Sequence, residues 1–364
     1  NYGAGYSPAF VFSADFDGDS NNDLAVANNY SDDVSILINN GDGTFATAVN
    51  YGVGAFPNSI FSADFNGDSD LDLAVANYFS NNVSVLLNNG DGTFAAAVFY
   101  GTGDITSSVF SVDLDGDGDN DLVATNANFD NVSILKNNGD GTFATAVNFG
   151  AGIGSSCVFS ADLDGDSDND LAVTNWESKD VSILLNNGDG SFAVAVNYGV
   201  GGIPWAVNSA DLDGDGDSDL AVAIWSSNNV SVLLNNGDGT FASAVSFEVG
   251  DEPTSVISAG LDGDGDNDLV VANWSSGNVS ILINLSNAPN CCLGQTGNVN
   301  CSGDDQPDIS DITRLIDFLY LSHAPLCCAE EADANGSGGA PDISDITRLI
   351  DFLYLSHAPL PDCP

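Results

Sequence analysis

Residues 113–126 read DLDGDGDNDLVATN, with aspartates at alternate positions from Asp113 to Asp121 and then an apolar run. Related stretches begin at 15 (DFDGDSNND), 64 (DFNGDSDLD), 162 (DLDGDSDND), 211 (DLDGDGDSD) and 260 (GLDGDGDND), each 49 residues after the one before. A repeat of about 40 to 50 residues built from several short strands predicts a solenoid or a propeller. In each unit a segment such as SIFSADF enters the aspartate loop, and DLAVAN and VSVLLN follow as second and third strands. The turn NNGDGTF then opens a fourth, as in TFATAVNYGV. Val, Ile, Phe and Thr fill these segments and Asn, Asp and Gly bound them, which is strand and hairpin chemistry. Four strands per unit predict one blade per repeat.

Composition narrows the function. The chain has 364 residues, 53 of them acidic and 4 basic, for a formal charge of −49. Such a surface repels a phosphate backbone, so nucleic acid is excluded as a partner. At 43% hydrophobic and 9% aromatic the chain can bury a large core, unlike a disordered acidic tail. No apolar run approaches the roughly 18 residues of a membrane span. The opening NYGAGYSPAF has neither a basic nor an apolar leader region, and the chain has no Met, so a processed, secreted protein is expected.

A DxDxDxxxD loop directs the carboxylates of its first, third, fifth and ninth positions toward one centre, with the seventh carbonyl completing the shell. Hard oxygen donors at that spacing suit Ca²⁺. In the third loop these are Asp113, Asp115, Asp117 and Asp121, with Asp119 at the seventh position. The loop, the strand pattern and the NFGAG at 148–152 together resemble the FG-GAP or VCBS-like repeats of integrin-type β-propellers, over residues 1–284. The resemblance implies an all-β propeller of six four-stranded blades. It also implies Asp15, Asp17, Asp19, Asn21 and Asp23 as the first Ca²⁺ loop and Asp64, Asn66, Asp68, Asp70 and Asp72 as the second. The fourth loop is then Asp162, Asp164, Asp166, Asp168 and Asp170, and the fifth Asp211, Asp213, Asp215, Asp217 and Asp219. The sixth has Gly260 in first place, leaving Asp262, Asp264, Asp266 and Asp268, and is expected to be weaker or empty. About five or six ions in the propeller follow. Solvated acidic turns without metal are the alternative.

After NVSILIN (278–284) the expected turn and fourth strand are replaced by LSNAPNCC, so the last blade is expected to lack its outer strand. An unpaired edge invites strand addition. A linker is expected at 285–296 and a second domain at 297–364. There PDISDITRLIDFLYLSHAPL occurs at 307–326 and again at 341–360, with Ile312, Leu315, Ile316 and Leu319 at helical spacing. The duplicated loop and helix resemble a dockerin type I domain. That resemblance implies up to two further Ca²⁺ loops, Asn298, Asn300, Ser302, Asp308 and Asp311, then Asp333, Asn335, Ser337, Asp342 and Asp345. Both are longer than the twelve-residue EF-hand loop, and a helical hairpin without metal is the alternative. Cys291, Cys292, Cys301, Cys327, Cys328 and Cys363 predict disulfides and an extracellular compartment, with the pairing open. Cys157, alone in the propeller, reads as a small core residue. Asn-X-Ser sequons at Asn29, Asn82, Asn131, Asn229, Asn273, Asn278 and Asn284 fit a secreted glycoprotein surface.

No enzyme is expected. His323 and His357 are one position of the duplicated helix segment, and the carboxylates sit in Gly-rich loops rather than in apolar pockets that would raise a catalytic acid's pKa. Two functions remain. One is a secreted calcium-binding structural or adhesive protein that mediates protein assembly, its partner another copy or a cohesin-like module, with head-to-tail filaments as one form. The other is a carbohydrate-binding or adhesin propeller tethered by its dockerin-like tail, with Trp176, Trp205, Trp225 and Trp274 as stacking platforms for glycans.

Overall fold

A computed structural model describes residues 1–285. The expectations for the dockerin-like domain, its helices, its ten loop ligands and its six cysteines lie outside the described residues. Within them the fold is all β, in six antiparallel sheets whose strands are hydrogen-bonded in sequence order. The third sheet shows the plan, with strands Thr106–Val112, Asp121–Asn126, Asn131–Leu135 and Val147–Gly150. Five sheets have four strands, and the sixth stops at its third, with Pro253–Ala259, Asp268–Asn273 and Asn278–Leu282. No helix among the described residues is long and apolar enough to cross a membrane.

The strand sequences explain this order. DLVATN at 121–126 is buried at every position, and so are its counterparts in the second, fourth and fifth sheets. A strand with both faces covered has no need of polar alternation. The fourth strand is short, mostly exposed and forms the outer edge, as in Val147–Gly150. The first strand carries a register shift near its start, seen in the second sheet between Pro57 and Ser59, which accommodates a residue that cannot donate to the ladder.

The core lies between consecutive sheets. One cluster joins Phe65, Ala74, Ala76, Val83 and Val85 of the second sheet to Val109, Leu122, Ala124, Leu135 and Phe143 of the third. Corresponding residues form the clusters between the first and second, third and fourth, fourth and fifth, and fifth and sixth sheets. We call the first group of positions a sheet's trailing face and the second group its leading face.

Polar ties reinforce each junction. The side-chain amide of Asn186 donates to the carbonyl of Leu114 in the preceding sheet at 2.8 Å and to that of Asn169 in its own loop at 3.1 Å. Asn88, Asn137 and Asn235 reach back in the same way to Phe16, Phe65 and Leu163. The side-chain amide of Asn39, on the first sheet, donates to the carbonyl of Asn22 and has no preceding sheet to reach among the described residues. Removing a donor from a buried carbonyl costs about 1–3 kcal/mol. Asn186→Ala is therefore expected to lower stability by that amount and Asn39→Ala by less, measured by thermal unfolding of the two variants side by side.

Candidate metal centre

Each aspartate loop joins the first strand of a sheet to the second, and its shape is set by carboxylates that accept backbone N–H groups. In the third loop Asp113 Oδ1 accepts from Gly116 at 2.8 Å and Oδ2 from Gly118 at 3.0 Å. The first, second, fourth and fifth loops repeat this through Asp15, Asp64, Asp162 and Asp211. The tight winding places the sixth position in the left-handed region, at φ 93° for Gly118 and 75° for Ser167, a conformation glycine adopts most freely. In the sixth loop Gly260 has no carboxylate to make these bonds.

The ninth position does more than the sequence suggests. Asp121 is buried; its Oδ2 accepts from Leu114 N–H at 3.2 Å and its Oδ1 from Asn137 N–H at 2.7 Å. It thereby ties the start of the loop to the hairpin turn after the third strand. Asp23, Asp72, Asp170 and Asp219 make both bonds as well, and Asp268 accepts the N–H of Leu261 at 2.7 Å. The asparagine that opens each NNGDG turn lies outside the DxDxDxxxD pattern, and its recurrence in the first five repeats is the sequence signal for this role.

Carboxylates converge where the sequence places them, in a smaller set. Oxygens of Asp113, Asp115 and Asp121 lie within 4.8 Å of one another, as do those of Asp162, Asp164 and Asp170, and of Asp211, Asp213 and Asp219. In these loops the fifth-position residues Asp117, Asp166 and Asp215 stand outside the trio; each instead accepts the N–H of the seventh residue at 2.9 Å. The first loop gathers Asp15, Asp17 and Asp19. Among the described residues no such trio forms at the second loop, where Asn66 replaces the third-position acid and donates to Asp68 Oδ2 at 2.8 Å. The seventh side chain turns toward the hairpin: a Cβ on Gly139 would fall 2.5 Å from Asp119 Oδ2, and the turn's φ of 77° there favours glycine.

Charge chemistry favours a cation in these trios. Asp115 Oδ1 is buried and accepts no hydrogen bond, while its Oδ2 pairs with Lys136 at 3.1 Å. Lys136 Nζ also donates to the carbonyl of Asp189 in the next sheet's turn. A buried carboxylate oxygen beside two other carboxylates, with no donor of its own, is stabilised by a bound cation. An oxygen-only donor set suits a hard ion such as Ca²⁺. Burial and the neighbouring carboxylates also push the third-position groups Asp17, Asp164 and Asp213 above the ordinary carboxylate range.

Comparison with known proteins agrees with this geometry. The FG-GAP-like repeat family matches at residues 15–75, 64–124, 113–173, 162–222 and 211–271. The chain belongs to that family. No curated protein matches it in sequence. Among solved structures, an Agrocybe aegerita lectin that recognises non-reducing terminal N-acetylglucosamine is 26% identical, with 76% of this chain and 81% of the lectin covered and a TM-score of 0.53. The BBS1 N-terminal region, solved in complex with ARL6, is 16% identical over 77% of this chain and 80% of its own, at TM-score 0.55. A putative 6-phosphogluconolactonase from Bacteroides fragilis is 17% identical over 75% and 79%, at TM-score 0.56. The last two likenesses show a shared propeller-like fold alone.

The FG-GAP-like loops carry a pH signature. Burial raises Asp72, Asp121 and Asp170 to about 6 against the pull of their backbone donors, whereas an unfolded aspartate titrates near about 3.9. The folded state then holds protons more tightly, so this contribution is fully present below about 3.9 and is lost as pH rises through about 6. Melting of metal-free protein is expected to be lower at about pH 7 than at about pH 4, on either side of that window, and Ca²⁺ at pH 7 is expected to restore it. Differential scanning calorimetry at the two pH values, with and without Ca²⁺, checks both.

Proposed function

We propose that this protein is a secreted, calcium-binding structural or adhesive protein whose row of sheets mediates extracellular protein–protein assembly. The observation that carries the reading is the recurrence of a converged carboxylate trio in successive repeats, bonded through its ninth-position aspartate to the turn that grips the preceding sheet. A cation in each trio would tighten the loop, and through it the junction between sheets. The role is one of support and recognition rather than catalysis. The six cysteines of the C-terminal region accord with an oxidising, extracellular setting. The dockerin-like resemblance of the tail offers a second point of attachment, to a cohesin-like module or to another copy.

A specific observation favours glycan binding as a second reading. Trp176, Trp205 and Trp274 are exposed, Trp205 lies 6.4 Å from Trp225, and Tyr30, Phe79 and Phe129 are exposed in the corresponding turns of other repeats. Exposed aromatic faces stack on sugar rings, and the likeness to an N-acetylglucosamine-recognising lectin points the same way. Under this reading Trp274→Ala is expected to reduce retention on immobilised N-acetylglucosamine while leaving thermal stability unchanged.

Calcium decides the first reading. Each occupied site adds about 2.7 kcal/mol of stability when free ion is a hundredfold above its dissociation constant. Titration calorimetry is expected to show several sites per chain, with one fewer in Asp164→Asn, and melting is expected to rise in millimolar Ca²⁺ and fall with chelator. No heat of binding and no shift in melting would overturn it.

A further inference from the structure

Every junction between sheets repeats one pairing, and its two halves also stand unpaired at the ends of the row. The leading-face residue Ile60 of the second sheet is 1% exposed and Val109 of the third is 3% exposed, whereas Val11, their counterpart on the first sheet, is 59% exposed. The trailing-face residue Val83 of the second sheet is fully buried, whereas Val279 and Ile281 of the sixth sheet are 60% and 59% exposed. The first sheet's leading face comprises exposed Val11, half-buried Leu24, Val26 and Phe45 and buried Leu37, the sixth's trailing face comprises exposed Leu261, Ala272, Val279 and Ile281 and half-buried Val270, and neither set includes a charged side chain. Five junctions within the chain show what each face accepts: the other one.

The N-terminal segment extends the match. Tyr2 packs edge-on against Phe45 at 5.4 Å and 76°. Tyr51 on Phe94, Tyr100 on Phe143, Phe149 on Phe192 and Tyr198 on Phe241 do the same, and in each of these pairs the first ring comes from the fourth strand of the preceding sheet. Gly5 N–H likewise donates to Ser35 as Gly152 does to Ser182. Residues Asn1–Gly5 therefore already lie on the first sheet where a preceding sheet's fourth strand would lie, and among the described residues the sixth sheet has no fourth strand. The register of the first sheet, Val34 opposite Tyr51 and Ser35 opposite Asn50, carried through the repeat puts Tyr2 opposite Val279 and Asn1 opposite Ser280.

We propose that the trailing face of the sixth sheet docks the leading face of the first sheet of a second copy, whose Asn1–Gly5 segment adds the missing fourth strand. This deepens the assembly reading and rests on it, by naming the partner and the two surfaces. A second copy docks without altering any of the five internal junctions, whereas closure within one chain would have to draw two separately exposed faces together through all of them. Because the two surfaces differ, the contact is head-to-tail and propagates, with strand addition supplying direction and apolar burial supplying affinity.

The test uses the full chain in Ca²⁺, by sedimentation velocity over a range of concentrations. Wild type is expected to form a ladder of oligomers, while Val11→Asp and Ile281→Asp, each placing a charge in an apolar junction, are expected to weaken association by about a hundredfold or more. Both positions are exposed in the single chain, so circular dichroism and melting should match wild type. Mixing the two variants leaves one intact junction per pair and is expected to give dimers that grow no further. A wild type that binds calcium yet stays monomeric, or a mixture that stays monomeric, would overturn the proposal. Calcium-dependent oligomers that survive both substitutions would overturn this interface while leaving the broader assembly reading in place.

Discussion

Each sheet in this protein is apolar on both faces, and a sheet of that kind cannot be finished by its own chain segment. The second strands are buried on both sides, which stabilises them only when a neighbour covers each face. Repetition at 49 residues supplies the neighbour. The ends of the row are the exception, and the exposure of Val11, Val279 and Ile281 marks them.

The aspartate loops sit on this frame as its fasteners. The ninth-position aspartate spends both oxygens on backbone donors, one in its own loop and one in the hairpin turn whose asparagine reaches the preceding sheet. Loop conformation and sheet packing are thus mechanically linked, and an ion held by the first, third and ninth positions would act on both. The same burial that raises Asp72, Asp121 and Asp170 to about 6 sets protons and metal in competition for one set of oxygens. In the third loop Lys136 takes a share of that role by pairing with Asp115.

Much of this was legible in the residues. The fixed spacing, the strand pattern and the truncated sixth repeat predict six sheets with the last one short, and the strand order bears that out. Which acids converge was legible only in part. Alternation along a loop places residues on one side of a turn, but it does not say which oxygens the backbone will claim. Asp117, Asp166 and Asp215 lie outside the trios, each giving one oxygen to the seventh residue's N–H. The role of the NNGDG asparagine depends on a carbonyl 72 residues away, beyond the reach of local pattern. Cys157 is the small core residue its sequence context predicts: it packs against the cluster between the fourth and fifth sheets, and burial pushes its thiol's pKa up.

The central claim is that the trios are cation cages that fasten the sheets. A crystal grown in Ca²⁺ and exchanged with a lanthanide would test it most directly, through the anomalous difference map. The account predicts peaks enclosed by Asp113, Asp115 and Asp121, by Asp162, Asp164 and Asp170, and by Asp211, Asp213 and Asp219. Density confined to the outer surface, with all three trios holding only water, would contradict it.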